Sequence, residues 1–136
     1  MCLVLNTRMA ARAVTRRADR KLRAFGVTSA QFNILGALFR QPGRSVTEMA
    51  SSLAMDRTTL SRNLDVLERK GLVKAVDPVE GVHANTRLSA LTEEGSRQVE
   101  KILPEWRDGQ AELRATLRNP DFAEVIAALR QVANLT

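Results

Sequence analysis

The stretch from Ser45 to Gly71 constrains the fold more than any other part of the chain. Ser45 and Glu48 have the spacing of a capping box, and Val46, Met49, Ala50 and Leu53 follow at i, i+3, i+4 and i+7, so a short helix with one apolar face opens here. Ala54-Met55 leaves only a tight connection, after which Asp56 is placed to cap a longer helix running to Lys70. At about 100° per residue Leu60, Leu64 and Leu67 fall in one narrow arc, Thr58, Arg62 and Arg69 face the other way, and Ser61 lies between. Arg69 and Lys70 suit the negative end of the helix dipole, and Gly71 supplies a left-handed C-cap.

The elements on either side extend this pattern. A first helix reads from about Leu3 to Ala24 and is closed by Phe25-Gly26. Thr28 and Gln31 form another capping-box pair, opening a helix through Arg40 with Phe32, Leu35, Leu38 and Phe39 at helical spacing. Gln41-Pro42-Gly43-Arg44 is a turn. Leu72 to Val76 and Thr86 to Leu91 read as two short strands around a loop of turn formers from Asp77 to Asn85. Thr92 caps a long helix that Pro104 should kink, and Asn119 as N-cap, Pro120 at the first helical position and Asp121 in the first turn should open a last helix burying Phe122, Val125, Ile126 and Leu129. The order implies a mainly α fold with a small β-hairpin, a winged helix-turn-helix.

The 136 residues fit one domain with its own hydrophobic core, and 44% hydrophobic with 26% charged residues is ordinary for a soluble protein. No apolar run is long enough to span a membrane, and Met1 to Leu5 is too short for the apolar region of a signal peptide. A single cysteine makes no internal disulfide, which points to the cytoplasm. The net charge of +6 is uneven: residues 1–40 carry +7, residues 41–75 carry +2 and residues 76–136 carry −3. A basic front and an acidic back suit a protein that turns one side to a polyanion. No Gly-rich phosphate loop, paired catalytic carboxylates or nucleophile beside the lone His83 is present, so no enzyme, cofactor or metal site is expected.

On the Asp56–Lys70 helix, Arg57, Thr58 and Thr59 occupy the first turn, the end that a recognition helix pushes deepest into the major groove. Arginine can bridge guanine O6 and N7, and Ser or Thr hydroxyls bond to bases or phosphates. Asp65 also points away from the leucines and would repel a phosphate placed close to it. By itself this reads more readily as an ordinary amphipathic helix with a solvated outside. The capped short helix before it and the hairpin after it favour DNA binding.

Thr28-Ser29-Ala30-Gln31-Phe32, Val46-Thr47-Glu48-Met49-Ala50, Leu60 through Val73 and Leu91-Thr92-Glu93-Glu94-Gly95 resemble the successive landmarks of the MarR family, and Cys2 through Arg8 is similar to the opening of many such regulators. The resemblance covers essentially the whole chain. It implies one MarR-like domain over 1–136, with residues 28–91 as the winged lobe and residues 1–27 and 92–136 as dimerisation helices. It also implies a homodimer on double-stranded, pseudo-palindromic DNA, repressing by occlusion until a small molecule releases it. Carried over by position, Arg57, Thr58, Thr59, Ser61 and Arg62 are the DNA contacts.

The wing departs from the family, which commonly carries an acid and a minor-groove arginine near its tip. That arginine position falls at Asn85 or its neighbour, and Arg87 lies further into the strand. Either Arg87 substitutes from a shifted register, or the wing is weak and contributes hydrogen bonds from Asn85 and His83.

Val99, Leu103, Trp106, Gln110, Leu113 and Leu117 are spaced 4-3-4-3-4, a heptad-like seam. With Leu3, Leu5 and Met9 near the start and Phe122, Ile126 and Leu129 near the end, this is more apolar surface than a small monomer needs, so a dimer is expected. Arg8, Arg12, Arg16 and Arg20 form either a solvated basic row, a set of phosphate contacts, or an anion-binding wall suited to an aromatic carboxylate effector. Two alternatives to the DNA-binding repressor remain at this point. One is a winged helix used as a protein-docking module. The other is a redox sensor acting through Cys2, which the resemblance disfavours, because that branch of the family needs tyrosines and this chain has none.

Overall fold

The computed structural model describes residues 1–77 and 87–135. It is mainly helical, with one three-stranded antiparallel sheet. The chain forms two compact units, Met1–Ile102 and Leu103–Thr136. Their division falls inside one helix, next to Pro104, whose missing N–H interrupts the hydrogen-bond ladder.

The first unit opens with α1 (Leu3–Leu22), extended by a 3-10 turn over Arg23–Phe25 and stopped by Gly26 at φ +74°. Thr28 and Gln31 close the expected capping box at the head of α2 (Ser29–Arg40), where the Asp19 carboxylate also accepts the Ser29 amide at 2.7 Å. The one acid of the basic first helix is thus spent on fixing α1 to the start of α2. Phe32, Leu35 and Leu38 are buried as expected, whereas Phe39 remains 40% exposed.

Next come β1 (Arg44–Ser45), α3 (Val46–Ser52) and α4 (Arg57–Arg69). Strand β1 is absent from the sequence reading, which saw only a turn there; two residues carry no periodic signal. The Ser45 hydroxyl accepts the Glu48 amide, so the half of the capping box that protects the helix end is present. The turn between α3 and α4 is held by backbone alone. The Met55 amide bonds to the Ala50 carbonyl and the Ala54 amide to the Ser51 carbonyl, a Schellman closure with Ala54 at φ +53°. A left-handed alanine costs about 1–2 kcal/mol, which the packed helices on both sides offset.

Helix α4 ends in a second Schellman closure. Gly71 at φ +75° donates to Glu68, and Leu72 donates to Leu67, both leucines being buried. The chain then enters β2 (Val73–Val76), which pairs with β3 (Leu88–Leu91) from Val73↔Leu91 to Val76↔Leu88. On its other edge β3 pairs with β1, giving the order β1-β3-β2. The expected second strand starts two residues later than Thr86. Most of the expected loop, Pro78 to Asn85, lies outside the described residues.

Helix α5 (Glu93–Thr116) begins where β3 ends. The Thr92 hydroxyl accepts the Gly95 amide at 3.0 Å and donates to the Gly71 carbonyl at 2.6 Å, while the Thr92 amide donates to the Leu72 carbonyl at 3.1 Å. Leu22, Ile34, Leu60, Leu64, Leu67, Val99 and Ile102 form the centre of this unit's core, each no more than 1% exposed.

In the second unit α6 (Phe122–Ala133) corrects the sequence reading twice. Asp121, not Asn119, is the N-cap, because Asp121 and Glu124 complete a reciprocal capping box; Pro120 precedes the helix, and Arg118 bridges to Asp121 instead. Nor does α6 bury its apolar residues: Phe122, Val125 and Ile126 are half-buried, and Leu129 is 48% exposed. The Arg114 guanidinium lies 4.6 Å over the Phe122 ring.

Gly95 packs directly against the backbone of Leu72. A Cβ there would fall 2.0 Å from the Leu72 carbonyl oxygen. Alanine is the better helix former by about 1 kcal/mol, yet Gly95→Ala should destabilise the protein by on the order of 1–3 kcal/mol through overpacking. Thermal unfolding of the two proteins decides between these effects, and a raised Tm would mean that the helix does not press on Leu72.

Candidate nucleic-acid interface

The residues of α4 fall into four stripes along its length, each with a different neighbour. Leu60, Leu64 and Leu67 are fully buried and fix the helix to the core. A second stripe, Thr59 and Asn63, faces α2. The Asp56 carboxylate accepts the Thr59 amide at 2.7 Å and the Thr59 hydroxyl at 2.8 Å. The amide bond first, and the hydroxyl next, hold the Asp56 carboxyl below its ordinary pKa. The cap is therefore complete above the unfolded carboxylate's pKa and is lost as pH falls through the lowered folded value.

From Thr59 the bonds continue. The Asn63 amide donates to the Thr59 carbonyl at 3.0 Å, and Gln31 donates to Asn63 at 3.4 Å while accepting the Thr28 amide at 3.1 Å. One line of hydrogen bonds thus links the N-cap of α2 to the N-cap of α4. Farther along, the Lys70 ammonium donates to the Gly26 carbonyl, tying the C-terminal end of α4 to the end of α1.

The third stripe is Ser61, Asp65 and Glu68, within about 60° of arc at 100° per residue. It faces the base of the wing. The Arg87 guanidinium lies 3.0 Å from Asp65 and 3.0 Å from Glu68, and reaches the Ser61 carbonyl at 3.4 Å. The Arg87 carbonyl meanwhile accepts the Val46 amide at 3.2 Å.

The fourth stripe is Thr58, Arg62 and Arg69; Arg57, in the first turn, lies about 100° around the helix from Thr58, on the arc of Glu68. All four are exposed, and none of their side chains has a hydrogen bond or ion pair among the described residues. Together they present three guanidinium groups and one hydroxyl on a helix capped at both ends.

Of the residues singled out from sequence, Thr58 and Arg62 thus share one open ridge, and Arg57 is exposed at the N-terminal end of the same helix on a different face. Ser61 lies half-buried beside the ridge, and the Thr59 hydroxyl is committed to the helix cap. Arg87 sits at the root of the wing with its charge already engaged. Asn85 and His83 lie outside the described residues. Sequence reasoning missed Asn63, Glu68 and Lys70. Their polar character was visible, but their partners sit 19 to 44 positions away, beyond any local spacing rule.

Other singled-out residues belong to the apolar faces of the two units. In the first, Leu3, Leu5 and Met9 of α1 are 58%, 56% and 58% exposed. In the second, Trp106, Leu113, Leu117, Phe122 and Ile126 are half-buried. An open groove of about 580 Å³ runs along α1, lined by Ala11 and Thr15, by Arg12, Arg16, Arg20 and Arg23, and by Asp19, whose carboxylate is bonded to the Ser29 amide. Cys2 is exposed and accepts the Leu5 amide as the α1 N-cap. Among the described residues no cluster of His, Cys, Asp and Glu could hold a metal ion, and no helix is long and apolar enough to cross a membrane.

A sequence profile of the MarR family matches residues 25–81, the stretch from the end of α1 into the wing. The chain is 36% identical to the M. tuberculosis transcriptional regulator MosR, whose crystal structure in complex with DNA superposes with a TM-score of 0.82 over 98% of this chain and 96% of that one. The S. aureus MepR–DNA complex gives 25% identity and a TM-score of 0.82, covering 99% of each chain. An HTH-type transcriptional regulator of Bacillus subtilis (strain 168), YwoH, is 27% identical over 119 residues, 88% of this chain and 85% of that protein.

Proposed function

The chain belongs to the MarR family, and we propose that it is a sequence-specific DNA-binding transcriptional regulator, a homodimer that represses by occupying its operator. The reading is of a cytoplasmic regulator, acting where the DNA is, and not of an enzyme. The observation that carries it is the open ridge of Thr58, Arg62 and Arg69, with Arg57 exposed in the first turn, on a helix whose other three stripes are engaged within the protein. Guanidinium and hydroxyl groups on such a ridge have the chemistry to read base edges from the major groove and to bond phosphates. MosR and MepR, each solved on DNA, support the same reading.

Dimerisation rests on the uncovered apolar side chains. Leu3, Leu5 and Met9 on α1 and Leu129 on α6 are each about half exposed or more, which the chain alone leaves in water. In the second unit, Trp106, Leu113, Leu117, Phe122 and Ile126, all half-buried, are proposed as dimer contacts as well. For release, the α1 groove is the described feature with suitable chemistry: four arginines against the single Asp19, beside the small Ala11 and Thr15, fit an aromatic carboxylate.

Three measurements test these statements. On a duplex from the protein's own control region, log affinity should fall steeply and linearly with log salt. There Arg62→Ala should cost about 1–3 kcal/mol on the cognate site and less on random duplex; an equal loss on both makes Arg62 a phosphate contact, and salt-independent binding would point to a protein-docking use of the fold. Sedimentation at micromolar concentration should give twice the chain mass, with Trp106→Asp giving monomers; a monomeric wild type would remove the dimer from the proposal. Salicylate should dissociate the wild-type complex at concentrations that leave Arg16→Gln bound, and equal sensitivity of the two would take the effector away from α1.

A further inference from the structure

We infer that Arg87 is a positioning residue that holds the wing strand to the recognition helix and masks two carboxylates beside the DNA-reading ridge, rather than a DNA contact itself. The inference rests on the DNA-binding reading above and deepens it. Asp65 and Glu68 lie on the stripe next to Thr58, Arg62 and Arg69, so two negative charges flank the ridge offered to a polyanion. The same Arg87 nitrogen, Nη2, lies 3.0 Å from each carboxylate, and Nη1 donates to the Ser61 carbonyl at 3.4 Å. Its backbone carbonyl takes the Val46 amide at the head of α3, so one residue joins the start of α3, the strand β3 and the length of α4.

The side-chain exposures are 29% for Arg87, 59% for Asp65 and 35% for Glu68. Ion pairs this open add little to folding stability, so a stabilising role does not account for the arrangement. Its effect lies in the field at the ridge: with Arg87 in place the acids carry a net charge of about −1, and without it −2, within a few ångströms of where phosphates would pass. Minor-groove insertion would require the guanidinium to leave both acids, restoring that repulsion.

A charge cycle separates the two roles. Arg87→Gln should weaken binding to cognate and random duplexes alike by tenfold or more, while the slope of log affinity against log salt stays within half a unit of wild type. In an Asp65→Asn, Glu68→Gln background the same Arg87→Gln change should cost less than threefold, because no carboxylate is left to mask. That triple variant carries no unpaired charge at this position, so it also serves if the single variant folds poorly. A tenfold cost that persists in the neutralised background, with a slope lowered by about one per arginine, would make Arg87 a phosphate or base contact and overturn the inference. Wild-type protein that binds no duplex would fail the functional reading instead, a different result from either.

Discussion

The Leu72 carbonyl accepts the Thr92 amide and lies so near Gly95 that no β-carbon fits between them. Three elements meet at this oxygen. Upstream, Leu72 and Gly71 close the end of α4; downstream, Leu72 leads into the first wing strand; across it, α5 starts on the Thr92 hydroxyl, which also binds the Gly71 carbonyl. The angle at which α4 leaves the core, the origin of the wing and the direction of α5 are therefore not independent. A change in one shifts the others, because each backbone group at the junction already has its partner.

Within that frame α4 divides its surface by task. The leucines anchor it, Thr59 and Asn63 connect it to α2, and Ser61, Asp65 and Glu68 connect it to the wing through Arg87. Only the ridge of Thr58, Arg62 and Arg69, with Arg57 in the first turn, is left over. A helix held on three sides and capped at both ends meets a ligand with little conformational freedom left to lose, which is the condition for discriminating one base sequence from another.

What was legible in the sequence follows the range of the interactions. Caps are local, so Thr28, Ser45 and Asp56 could be read from three-residue spacings, and the buried face of α4 from its leucines. Strand β1 was not legible, because Arg44 and Ser45 form a strand only through pairing with Ser89 and Leu88, over forty positions on. The start of α6 was misplaced because Asn119 and Asp121 both have N-cap chemistry, and only Asp121 has Glu124 three residues later to complete the box. The apolar period of α6 was read correctly, but a period says which face is apolar and not what covers it. For the DNA-facing ridge the outward side of α4 was clear from sequence. The demotion of Thr59 to a cap and the engagement of Arg87 needed the folded geometry.

The closure of the turn between α3 and α4 has a consequence for how such a protein changes over generations. Ala54, Met55, Ala50 and Ser51 hold it through main-chain bonds, and among the described residues no side chain of the outward ridge makes a bond that maintains the lobe. Arg57, Thr58, Arg62 and Arg69 are thus free to be exchanged at little expense to folding. A duplicated copy of this chain can drift to a new target site one ridge residue at a time, passing only through intermediates that still fold.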